Sequence, residues 1–91
     1  MTVEMVKECL RKTEDVLPRV DGLFESILGV DILYDGKVRI LGHEPMDREH
    51  LLKSATKREL TSTKYDEFDM DFDGVHVRWL EYRDDTNNET V

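Results

Sequence analysis

The chain has 91 residues, enough for one domain with a single core, and folding at this size buries only about 60–65% of the unfolded surface. Its 21 acidic and 13 basic residues give a formal net charge of -8, which repels phosphate backbones and anionic lipid and argues against direct nucleic-acid or membrane binding. Cys9 is the only cysteine, so an intramolecular disulfide and a thiolate zinc cluster are both excluded within one chain.

Thr2 is placed to cap an N-terminal helix in which Val3, Val6, Leu10 and Leu17 recur at helical spacing, widened by Met5, Cys9 and Val16. Glu4, Lys7, Glu8, Arg11, Lys12 and Glu14 supply its solvent face. Cys9 on the apolar stripe reads as a buried, inert thiol. Pro18 lacks a donor and biases Leu17 away from the helical region, so the helix is expected to stop or kink there. Asp21 then caps a short second helix carrying Leu23, Phe24, Ile27 and Leu28, closed by Gly29.

Residues 30–34 and 37–41 flank Asp35-Gly36 and are rich in β-branched and aromatic side chains, which predicts a hairpin. Residues 42–45 read as a turn, after which Pro45 or Asp47 opens a short helix through residues 48–55. Residues 57–64 fit a helix tail, a loop or the start of a strand, because Thr61, Ser62 and Thr63 form helix poorly.

The strongest local signal lies further on. Phe68-Asp69-Met70-Asp71-Phe72 alternates apolar and acidic residues into Asp73-Gly74 and out through Val75-His76-Val77-Arg78-Trp79. A two-residue type I′ loop sets the register: Phe72 opposite Val75, Asp71 opposite His76, Met70 opposite Val77, Asp69 opposite Arg78, Phe68 opposite Trp79. One face is then apolar, with Trp79 packed on Phe68 and on helix residues such as Leu10. The other is ionic. Both Asp-Gly turns lead into Val-Arg-X-Leu, an echo offset by one residue that reads as shared hairpin chemistry. Residues 84–91 show no apolar periodicity and are expected to fray.

The expected architecture is α+β: an antiparallel sheet of about four strands in two β-hairpins, with the N-terminal helix or broken helix pair and a short middle helix on one face. Residues 1–83 form the single domain and 84–91 a flexible tail. No basic region runs into an apolar stretch and no segment approaches the ~20 apolar residues of a membrane span, so the expected compartment is the cytoplasm.

Motifs for chemistry are sparse. Asp69-X-Asp71-X-Asp73-Gly74 matches the opening of a calcium-binding EF-hand loop over six residues, but Leu80 occupies the place of the bidentate Glu and the flanks are strands. His43-Glu44-Pro45-Met46-Asp47 lacks the second histidine of a metalloprotease helix, and Pro45 interrupts it. Ser26, Ser54 and Ser62 lie in no nucleophile elbow, and the dispersed glycines form no phosphate cradle. No catalytic residue, metal or cofactor is therefore expected.

The remaining candidate is the acidic row Glu67, Asp69, Asp71 and Asp73, spaced about 7 Å apart along one strand face, similar to phosphates along a nucleic-acid strand. In size and acidity the chain is similar to small viral inhibitor proteins that mimic nucleic acid. That likeness implies a non-catalytic module, an inhibitor or regulator, engaging a basic protein surface through these four residues. The bland alternative is a solvated face in which Arg78 neutralises Asp69 and His76 partly neutralises Asp71. A further alternative is a self-associating accessory domain, a homodimer with an apolar interface.

Overall fold

The computed structural model describes residues 1–61 and 63–83. The order is α1 (Val3–Asp21), β1 (Phe24–Ile32), β2 (Val38–Pro45), α2 (Arg48–Leu52), β3 (Thr56–Glu59), β4 (Tyr65–Phe72) and β5 (Val75–Tyr82). The fold is α+β, as the sequence predicts. The strands form one sheet in the order β1-β2-β5-β4-β3. Two features exceed the expected hairpin pair: β3 adds a fifth strand antiparallel to β4, and the hairpins join through a parallel β2–β5 ladder. Parallel neighbours need a long crossover, and α2, β3 and β4 supply it. Residues 84–91, the expected tail, lie outside the described residues.

The second hairpin follows its local chemistry. Asp73 and Gly74 both take positive φ, 54° and 81°, as a type I′ turn requires, and the β4–β5 register is the one read from the alternation. The first hairpin closes differently. Leu33 N–H donates to the Lys37 carbonyl at 2.8 Å and Gly36 N–H to the Leu33 carbonyl at 2.9 Å. Tyr34, Asp35 and Gly36 thus form a three-residue loop in which only Gly36 has positive φ, 87°, the geometry of a turn closed by a glycine bulge.

Three expectations fail for tertiary reasons. Helix α1 does not stop at Pro18 but runs on to Asp21; Pro18 and Glu14, whose carbonyl loses its donor, are both exposed and so open to solvent, while Val16 and Val20 are buried on the sheet. Residues 23–29 form no helix. Phe24 instead opens β1, its ring lying over Gly42 and edge-on to Trp79 at 5.6 Å. Residues 42–45 are strand rather than turn.

One face of the sheet carries the core: Val38, Ile40, Phe68, Met70, Val75, Val77 and Trp79, covered by Cys9, Val16 and Val20 of α1 and Leu51 of α2. Trp79 is fully buried, stacked on Phe68 with ring centroids 5.2 Å apart. Leu10 is not part of this packing, being 52% exposed, and Val3 and Val6 are exposed with it. The inward stripe of α1 is set by Cys9, Val16 and Val20, with the Cys9 thiol reaching the Gly36 carbonyl of the first hairpin. Thr2 caps α1 by accepting from Met5 N–H at 3.2 Å, and Asp47 caps α2 by accepting from His50 N–H at 3.2 Å.

Candidate functional site

With both helices on the core face, no other described element covers the opposite face of the sheet. Strand alternation places Arg39 and Leu41 of β2, His76, Arg78, Leu80 and Tyr82 of β5, and Tyr65, Glu67, Asp69 and Asp71 of β4 on it. The four acidic residues read from the sequence do not form one free row there. Glu67 is only 4% exposed, held by Arg58 Nη2 and Arg78 Nη1, each 2.8 Å from one of its carboxylate oxygens. Asp69 Oδ1 lies 3.6 Å from His76 Nε2. Asp71 accepts the Gly74 N–H at 3.3 Å. Asp73 sits in the turn and binds Arg19 of α1 at 2.6 Å, so it belongs to the helix side.

The expected pairings of Arg78 with Asp69 and His76 with Asp71 shift by one step. Those residues are opposite in the backbone register, but the side chains reach the diagonal neighbours Glu67 and Asp69. Sheet twist brings one diagonal closer, and long side chains exploit it. The alternation set the faces, yet it carried no signal for Arg58, which arrives on a strand the sequence left undecided. Asp69 and Asp71 remain at the surface of the uncovered face.

The other half of this face is apolar. Leu28, Tyr65, Leu80 and Tyr82 are exposed, with Leu28 at 60% and Tyr82 at 53%, and the two tyrosine rings meet edge to face at 5.5 Å. These residues, with Leu41 and Glu44, line an open cleft of about 720 Å³, within the size range of ligand pockets. The cleft follows from topology: β2 pairs with β5 only from Arg39↔His76 to Gly42↔Trp79, after which the strands separate. Sequence reasoning missed it because nothing local signals a parallel ladder or where it ends.

Charges frame the cleft. Glu44 takes φ 57°, a left-handed conformation uncommon for a non-glycine residue, and its Oε1 lies 3.6 Å from His43 Nε2. A hydrogen bond shared with Glu44, and that neighbour's charge, raise the Glu25 carboxyl above its ordinary value. At the opposite wall, burial pushes the Glu81 carboxyl up, but hydrogen bonds from Arg48 Nε (2.7 Å) and Trp79 Nε1 (3.1 Å) outweigh it and leave Glu81 below its ordinary value.

Among the described residues no three His, Cys, Asp or Glu side chains converge as metal ligands, and no helix is long and apolar enough to cross a membrane. Cys9 is buried, with its thiol donating to the Gly36 carbonyl at 3.3 Å. Comparison with protein-family models, curated proteins and solved structures returns no match.

Proposed function

We propose that this chain is a small, acidic, non-catalytic protein-binding module that takes its partner on the uncovered face of the sheet. The observation that carries this reading is the group of exposed leucine and tyrosine side chains on a sheet whose other face is fully used for the core. Aromatic and aliphatic anchors ringed by charge are the usual anatomy of a docking surface. The net charge of -8 favours a basic partner, such as a nucleic-acid-binding protein that the module inhibits or regulates. Within the acidic row, Asp69 and Asp71 are the residues left to steer it, since Glu67 and Asp73 are already bound to arginines.

The test is affinity capture from the native host, followed by titration of the purified partner against two variants across an ionic-strength series. Leu80→Glu is expected to weaken binding about a hundredfold, as for loss of an apolar anchor. Asp69→Asn with Asp71→Asn is expected to lower the association rate and flatten its salt dependence. Unchanged affinity in both folded variants overturns the reading.

A second reading, self-association, is favoured by one observation: Val3, Val6 and Leu10 form an exposed helical stripe beside the buried face of α1. It predicts a salt-tolerant homodimer in sedimentation that Leu10→Glu returns to monomer.

A further inference from the structure

The ladder that ends at Gly42↔Trp79 leaves the β2 side of the last residues of β5 without a strand neighbour among the described residues. Arg83 N–H donates to the Lys64 carbonyl on the β4 side at 2.6 Å, so the odd-numbered residues of β5 turn their backbone groups toward β4. By the alternation of an antiparallel ladder, the even-numbered residues turn theirs away. His76 and Arg78 meet β2 in the parallel ladder, whereas the Leu80 carbonyl and both backbone groups of Tyr82 face the cleft, where β2 has diverged. A short stretch of open sheet edge therefore lies inside an apolar cleft, instead of at the rim of the sheet where edges are normally found.

Two further features act on the same space. Leu28, Leu41, Leu80 and Tyr82 offer apolar surface on the uncovered side. Glu44 lines the cleft, and Glu25 of β1 stands opposite it, between the Phe24↔Pro45 and Ser26↔His43 pairs of the β1–β2 ladder; like charges opposite each other repel, and a cation placed beside them would relieve that repulsion.

We propose that the notch between β2 and β5 accepts an extended peptide segment of a partner protein by strand addition to Leu80–Tyr82, with a Lys or Arg of that segment set against Glu25 and Glu44. The inference rests on the protein-binding reading above and specifies its site. Strand addition uses the partner's backbone for affinity and its alternate side chains for specificity, so apolar residues face the Leu and Tyr wall while the cation reaches the carboxylates. The net charge of -8 repels a second copy overall and favours a basic segment of another protein as the occupant.

The probe is a blocked synthetic hexapeptide of alternating Val and Lys, titrated at millimolar concentration into the ¹⁵N-labelled full chain. Two controls accompany it: the same peptide with Glu for Lys, and one N-methylated at alternate peptide bonds. The expected result is amide shifts confined to Leu41, Glu44, Leu80 and Tyr82, with both controls at least about tenfold weaker. Glu25→Gln with Glu44→Gln should cut the preference for Lys over Glu to about threefold or less while the Leu80 shift persists.

Equal binding of the Lys and Glu peptides, equal binding of the N-methylated peptide, or shifts confined to Asp69 and Asp71 each overturn the proposal. Concentration-dependent shifts of the cleft amides without peptide also overturn it, in favour of a second copy. If the peptide fails to bind while Leu80→Glu still loses the captured partner, this inference falls and the protein-binding reading stands; if Leu80→Glu and the Asp69/Asp71 double variant both leave the partner's affinity unchanged, the reading falls too.

Discussion

Replacing Glu67 with Gln separates a structural carboxylate from a recognition carboxylate. Its side chain is buried on the otherwise uncovered face, with Arg78 and Arg58 each donating at 2.8 Å. The Arg78 side chain is only 27% exposed, so its bond to Glu67 behaves as a partly desolvated, charge-assisted pair contributing about 1.5–3 kcal/mol. The Arg58 side chain is 67% exposed, and its bond counts as a surface pair of about 0.2–1 kcal/mol. Together these give about 2–4 kcal/mol, and Gln keeps one carbonyl oxygen, so a loss near the lower end, about 2 kcal/mol, is expected. For a domain of this size that lowers Tm by on the order of 10 °C. Urea denaturation of Glu67→Gln, Arg78→Met and the double variant measures the coupling directly. A Glu67→Gln change within about 0.5 kcal/mol of the parent, with no coupling to Arg78, refutes the clamp and returns Glu67 to the exposed acidic row.

Three further outcomes are expected. Gly42→Ala places a Cβ 2.5 Å from Phe24 Cγ, displacing the ring from Trp79 and costing about 1–3 kcal/mol by thermal denaturation, with a changed near-ultraviolet tryptophan signal. Gly74→Ala, at φ 81° with only the tip of Lys12 nearby, costs about 1 kcal/mol, and Gly74→Asn costs measurably less. Stability against pH reads the cleft carboxyls. Glu25 has a raised folded-state pKa, so its contribution is complete below the ordinary value of 4.5 and fades as pH rises through the raised value. Glu81 is lowered, so its contribution holds above 4.5 and is lost as pH falls through the lowered value. Tm should therefore gain from Glu25 as pH drops toward 4.5 and lose from Glu81 below it; Glu25→Gln removes the gain and Arg48→Ala lessens the loss.

What the chain determines by itself is local. The Asp73-Gly74 turn and the period-two alternation on both sides specify the β4–β5 register residue by residue, because a turn type and a strand pleat are fixed within a dozen neighbouring positions. Thr2 and Asp47 likewise announce their helices through the backbone donors they satisfy. Tertiary structure decided the rest. Leu23, Phe24, Ile27 and Leu28 fit a helix as well as a strand, and only the fit of Phe24 over Gly42 and against Trp79 made them strand. Pro18 was outvoted by the burial of Val16 and Val20. The parallel β2–β5 ladder joins residues 37 positions apart, and no local pattern encodes such a pairing. From that ladder come the fate of Glu67, whose guanidinium partners stand on two different strands, and the cleft, which exists because β2 and β5 part after Gly42 and Trp79.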